Sequence, residues 1–226
     1  MRAALRHFAN VLIVAGVLLM ADAALTVVWQ EPMSAYLAHR QQGKLSKNLV
    51  ALDRASSSPL EMRALSAIDD QSARIAFLAR SLRRRVPDGG ALGRIEIPKI
   101  GASFVFVDGT NTADLRKGPG LYEQTPMPGV GGTTAIAGHR TTYGSPFRHV
   151  DELKAGDTIR LELPYGVFEY SVEKTLIVKP TALWVTRRVG HDRLVLSACH
   201  PLYSAAKRII VFARLASTKA RGAAAT

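Results

Sequence analysis

From Gly93 onward the sequence breaks into short β-forming runs separated by Gly- and Pro-containing turns, and that succession restricts the possible folds more than any other feature. Arg94-Ile95-Glu96-Ile97 alternates apolar with charged residues, Ser103 to Val107 forms a second run, and Thr133 to Ala137 leads into a Gly-His pair. Thr158–Leu163 and Val167–Val172 are joined by Pro164-Tyr165-Gly166, the pattern of a hairpin. Arg193–Ala198 and Arg208–Leu215 complete the set. Such runs predict a mainly β domain, a barrel or a sandwich, over residues 92–216, without internal repeats. Residues 217–226 read as a disordered tail.

The N-terminus predicts where that domain works. Phe8 to Trp29 carries a single charge, Asp22. As a helix, at about 1.5 Å per residue, it reaches roughly 33 Å, enough to cross a hydrocarbon core of about 30 Å. Arg2 and Arg6 precede it, so the positive-inside rule predicts a cytoplasmic segment 1–7 and an extracellular remainder. Trp29 is then expected at the outer interface. Ala21-Asp22-Ala23 offers a small-residue site of the kind at which a signal peptide is cleaved. The apolar run continues past it, so residues 8–29 are read as a retained single-pass anchor.

Residues 30–91 are polar and helical in pattern, and are expected to form a stalk. Ser58-Pro59-Leu60-Glu61 fits a helix start, with Ser58 as cap and Glu61 closing a capping box. Leu65, Ile68, Ile75, Leu78 and Leu82 follow at helical spacing, and the helix is expected to end in Arg83-Arg84-Arg85. That arginine run is read as a solvated helix end favoured by the dipole, in preference to an anionic-lipid contact.

The formal net charge of +12 invites a nucleic-acid reading, but the basic residues are spread along the chain and no DNA- or RNA-binding motif accompanies them. A cationic surface equally suits anionic lipid headgroups or cell-wall polymers. A single cysteine, Cys199, forbids an internal disulfide and leaves no cysteine cluster for zinc. No cofactor is implied and no calcium cluster is recognised, although calcium dependence is left open.

Cys199 lies in LVLSACHPLYSAAKRIIVFARL, Leu194 to Leu215. A thiol nucleophile needs a base, an acid for the leaving group and donors for the oxyanion. Cys199 closes an apolar run and is followed by His-Pro, which places it at the mouth of a strand. The alternative is an inert thiol in the core. The candidate acid/base is His139, in TTAIAGHRTTYGSPF, where Gly138 lets the chain turn at the end of a strand. A purely structural histidine is the alternative there. His7 precedes the anchor and His39 lies in the stalk, while His149, His191 and His200 are rivals. His200 adjoins the thiol, but neighbouring strand residues point to opposite faces. Arg208, nine residues after Cys199, would return beside the sulfur if a short loop joins two adjacent strands. Its guanidinium stays charged and donates in a fork, which suits an oxyanion. A solvated strand-start arginine is the alternative, and Lys207 and Arg214 are weaker candidates.

An anchor, a helical segment, a β domain, AGH at a strand end, then a cysteine and a nearby arginine together resemble a sortase. The local forms AGHRTTYGSPF and CHP followed by Arg-Ile-Ile-Val, with Gly118-Pro119-Gly120, Tyr122 and Met127-Pro128-Gly129, most resemble class E sortases of high-GC Gram-positive bacteria. The resemblance implies a closed barrel of about eight strands with short helices. It also implies a cysteine transpeptidase in which Cys199, His139 and Arg208 carry the reaction. The expected substrates are secreted proteins with a C-terminal LPxTG- or LAxTG-like sorting signal, cleaved after threonine. The acyl group would pass to an amine of a peptidoglycan precursor or of another protein.

The chain departs from the family's TLxTC before the nucleophile, reading Val195-Leu196-Ser197-Ala198-Cys199. Ser197 and Ala198 are expected at the substrate site, where Ala198 would lack a hydroxyl worth about 0.5–1.5 kcal/mol, roughly threefold to tenfold. Tyr143 and Ser145, just past His139, are expected either to shape the signal pocket or to serve as loop packing. Two rival readings remain at this level. An L,D-transpeptidase would carry glycine immediately before the cysteine and arginine two residues after it, which this chain lacks. A sortase-like barrel that only binds peptide is the other, supported by the altered approach to Cys199.

Overall fold

The computed structural model describes residues 2–28, 32–54 and 58–225. Trp29, expected at the membrane interface, lies outside them. Eight strands form a closed barrel: β1 (Ala91–Ile97), β2 (Ala102–Asp108), β3 (Gly120–Leu121), β4 (Thr133–Ala137), β5 (Thr158–Leu163), β6 (Gly166–Val178), β7 (Arg193–His200) and β8 (Lys207–Ala220). Their order around the barrel is β1-β2-β3-β4-β7-β8-β6-β5. The β2–β3 and β4–β7 pairs are parallel and the others antiparallel. Alternation along each strand sends one set of side chains inward, where Phe106, Phe168, Leu196 and Val211 are fully or almost fully buried.

Residues 217–226 were expected to be disordered, and the described part of that segment is not. Strand β8 continues to Ala220, paired with β6 from Val178↔Arg208 to Gly166↔Ala220. A 3₁₀ turn, Gly222–Ala224, follows and buries Ala224 in the main core. Ser217-Thr218-Lys219 looks unstructured by composition, but a strand ladder is made by the backbone, which the edge of β6 satisfies. The Ser217 hydroxyl adds a hydrogen bond to Glu169 Oε2, 3.1 Å.

Four helices precede the barrel: α1 (Arg2–Val28), α2 (Pro32–Arg54), α3 (Pro59–Ser66) and α4 (Gln71–Arg85). In α1, Ala4–Ala24 is long and apolar enough to cross a membrane. The capping box that starts α3 forms as read: Glu61 N–H donates to Ser58 Oγ at 3.2 Å, and Ser58 N–H to Glu61 Oε2 at 3.0 Å. The periodicity from Leu65 to Leu82 suggests one helix, but there are two. Asp70 caps a new N-terminus by accepting from Ala73 N–H at 2.6 Å.

Helices α2–α4, expected to form a stalk, do not stand off from the barrel. Leu65, Ile75, Leu78 and Leu82 enter the main core, while Leu45 and Leu49 of α2 pack on Ala91, Val105 and Val107. Arg83 is not a solvated helix end either. Its guanidinium donates to Thr125 O (2.6 Å), Glu123 O (3.0 Å) and Asp108 Oδ1 (3.1 Å), fastening α4 to the β2 and β3 ends.

Candidate active site

The site forms where β4, β7 and β8 end side by side. In the antiparallel β7–β8 pair Cys199 lies directly opposite Arg208, so both side chains leave the same face of the sheet about 5 Å apart at Cβ. That face is the outer one. Val195, Ile210 and Phe212, which share its parity, form a small apolar cluster outside the barrel, whereas Leu194, Leu196, Ala198 and Ile209 belong to the interior. The parallel β4–β7 register runs to Ala137↔Ser197, and Gly138 N–H donates to Ser197 O at 3.0 Å. β4 ends at Ala137, and the chain that follows carries His139 to the same end of the barrel, where the next residue, Arg140, reaches Cys199 O at 3.4 Å. Three strands thus deliver the thiol, the imidazole and the guanidinium to one edge of the barrel.

Gly138 in the AGH sequence has a steric reason. A Cβ there would lie 2.5 Å from the Phe147 ring, which packs against the turn, while Phe147 N–H donates to His139 O at 3.0 Å. His139 itself makes no side-chain hydrogen bond among the described residues, and its Nε2 is buried without a partner. The Tyr143 ring packs beside it, 5.2 Å between centroids. Burial, and after it the positive charge of Arg116, holds the His139 pKa below the ordinary imidazole range.

Arg208 Nη1 donates to Ala205 O and Lys207 O at 3.0 and 3.1 Å. Its Nε and Nη2 keep no acceptor among the described residues and remain able to donate to a substrate. A cleft of about 90 Å³ opens beside Arg208, lined by Ser197, Val195, Ile210, Tyr122 and Leu183 and roofed by the 3₁₀ turn Leu183–Thr186. A larger cavity of about 540 Å³ lies elsewhere, against β5, β6 and β8, walled by charges of both signs such as Arg160, Glu162 and Lys219. It contains none of the three candidate residues.

The other candidates sort by position. Ser197 lines the cleft, whereas the Ala198 methyl group points into the core, 3% exposed. Strand alternation puts it on the face opposite Cys199, so a side-chain hydroxyl there would point into the core. Val195, the other departure from the family pattern, is the one that faces the cleft. Tyr143 adjoins His139, whereas Ser145 is buried with its hydroxyl unpartnered. His149 pairs with Glu152, while His191 and Arg214 both face Glu173, away from the site. His200 points to Arg140, whose Nη1 lies 3.4 Å from His200 Nδ1 and 3.4 Å from Cys199 O. The sequence reading missed Arg140, although it follows His139 directly. Among the described residues, no group of three or more His, Cys, Asp or Glu is placed to hold a metal ion.

A family model for the sortase domain matches residues 95–216. The chain belongs to the sortase family. It is 39% identical over 130 residues to sortase D of Bacillus subtilis (strain 168), covering 56% of this chain and 64% of that relative. Its similarity to sortase SrtE1 of Streptomyces coelicolor is 28% over 149 residues, 59% of this chain and 42% of the relative. The alignments therefore span less than two thirds of these curated relatives. Among solved structures, sortase E from Streptomyces avermitilis superposes with a TM-score of 0.55 at 31% identity, covering 62% of this sortase and 99% of that chain. Sortase E1 from Streptomyces coelicolor, with a tripeptide in the active site, gives 0.56 at 27% identity over 58% and 91%.

Proposed function

We propose that this sortase is a membrane-anchored cysteine transpeptidase that cleaves a sorting signal after threonine and transfers the acyl group to an amine. The observation that carries this reading is the convergence of Cys199, Arg208 and His139 on one edge of the barrel, beside an outer-face cleft. In the resting pair His139 is neutral and accepts the thiol proton. The Cys199 thiolate then attacks the threonine carbonyl carbon. Negative charge builds on the carbonyl oxygen, where the free donors of Arg208 meet it. Collapse breaks the C–N bond, and the imidazolium gives its proton to the departing amine. The thioacyl enzyme is resolved by a second amine, which loses its proton to His139 as Cys199 leaves as thiolate.

The apolar span in α1 supports single-pass anchorage, with Arg2 and Arg6 on the cytoplasmic side and the barrel outside. Secreted proteins with a C-terminal LPxTG- or LAxTG-like signal are the proposed substrates, and a peptidoglycan precursor or a protein amine the acceptor. The motifs favour class E, while the 39% identity to a sortase D keeps class D in view. The full chain in detergent micelles, incubated with LPxTG and LAxTG peptides and a small amine, is expected to yield peptide cut after threonine and joined to the amine, read by mass spectrometry. Retention of intact peptide by folded protein, across several signals and calcium levels, would favour a barrel that only binds.

The pH profile follows from the site. Transfer needs a neutral His139 to take the thiol proton, so activity fails in acid when the imidazole is protonated. A depressed His139 pKa places that acid limb below the ordinary imidazole value of about 6.5. Arg116→Gln removes a positive charge that opposes the imidazolium, so the limb is expected to move to higher pH. Arg116→Lys should leave it in place. An unmoved limb in Arg116→Gln would remove Arg116 from the account.

A further inference from the structure

We propose that Tyr143 is a positioning residue for His139 and that α2, the helix next to the membrane span, holds it there. The proposal rests on the assignment of His139 as acid and base. Among the described residues His139 lacks the hydrogen-bonded partner that usually fixes a working imidazole, and its ring is held by packing alone. The Tyr143 ring supplies that packing at 5.2 Å, tilted by 45°, and Arg116 covers the tyrosine, its Cζ 5.7 Å from the ring centroid.

The backbone under Tyr143 is costly. Tyr143, Gly144 and Ser145 all have positive φ, at 51°, 76° and 46°, and two of the three carry side chains that disfavour this region. Such a run persists only when its surroundings enforce it. Ser145 N–H bonds back to Thr142 O at 2.9 Å, but Tyr143 N–H has its acceptor on another element: Ser34 Oγ of α2, at 3.3 Å. Gly144 faces the same helix, where an added Cβ would stand 3.5 Å from Ala38 Cβ. Further along, Gln42 is locked to β2, accepting from Val105 N–H at 2.7 Å and donating to Val105 O at 2.9 Å and Lys117 O at 2.8 Å. Helix α2 is therefore fixed to the barrel wall, and its first turns clamp the loop that carries the imidazole. Helix α2 is thus a brace for the candidate active site and not only a tether to it.

The test uses the full chain in detergent micelles. The His139 side-chain titration would be followed by NMR, assigned by difference from His139→Gln, beside steady-state peptide cleavage. Tyr143→Ala is expected to lower kcat by about tenfold to a hundredfold with KM changed less than about twofold, as a displaced catalytic group does. It should also raise the His139 pKa towards its ordinary value as the ring becomes solvated. Tyr143→Phe keeps the ring and should restore both, and Ser34→Ala should reproduce the kcat loss at about threefold to tenfold. Far-UV circular dichroism verifies that each variant is folded. A folded Tyr143→Ala with unchanged His139 titration and a raised KM would overturn the proposal, and would make Tyr143 a substrate contact. If the wild type proves inactive, the titration still decides whether Tyr143 holds the ring, separately from the transpeptidase reading.

Discussion

Cys199→Ala is expected to leave no amine-linked product, and Arg208→Ala to lower turnover by about a hundredfold to a thousandfold, with the barrel intact in both. The two effects differ because the roles proposed for the two residues differ. Without the sulfur there is no thioacyl intermediate, and neither His139 nor Arg208 offers another route through one. Without the guanidinium the attack still occurs, but the oxyanion loses its charged donors. Arg208→Lys tests that distinction. A lysine ammonium is a point charge, and it cannot reproduce the forked geometry that bonds Ala205 O and Lys207 O while leaving donors free. It should recover only part of the loss. Both residues are half-exposed at strand ends, and neither contributes to the core, so melting temperatures should stay within a few degrees of wild type. The measurements are single-turnover acylation by mass spectrometry and steady-state transfer. Arg208→Ala at wild-type turnover would mean that backbone N–H groups alone bear the oxyanion.

Much of this geometry could be read from residue pattern. The β-forming runs located seven of the eight strands, because alternation and Gly/Pro turns mark a strand with one buried face. Strand β3, only Gly120–Leu121, carries no period of its own and exists because β2 and β4 flank it. The far end of β8 was hidden by polar residues whose contribution is backbone pairing, and that of β6 by Glu173-Lys174-Thr175, which interrupts the alternation before Leu176–Val178. The inward turn of Ala198 was legible in principle: if Cys199 faces out, its neighbour faces in. That the end of β4, and with it the loop that begins at His139, lies beside the end of β7 was not legible, since it depends on the parallel β4–β7 register, and nothing local to either strand sets that register. Arg83 and Gln42 look like surface residues by type. Their roles as clamps depend on carbonyls brought near by distant parts of the chain.

Arg140 shows the same limit and leads to the second large effect. It is 3% exposed, and its guanidinium ties four groups together. Nε and Nη2 donate to Arg148 O at 3.2 and 3.1 Å, Nη2 meets Asp151 Oδ1 at 2.7 Å, and Nη1 reaches Cys199 O and His200 Nδ1, both at 3.4 Å. One side chain thus joins the loop after His139 to the end of the strand that bears Cys199. Asp151 is half-exposed and regains water when its partner is lost, so its share is small. The cost of Arg140→Ala comes from the two carbonyls left without donors and from the vacated volume, together about 2–4 kcal/mol. For a domain of this size that corresponds to a melting point lower by roughly 5–15 °C. Turnover should fall by about a hundredfold even well below the melting point, because His139 and Cys199 no longer share a common brace. Arg140→Met, which fills the volume without donors, separates the two causes: it should recover part of the stability and little of the turnover. A variant that keeps wild-type turnover while losing stability would show that the β4–β7 register alone holds the imidazole beside the thiol.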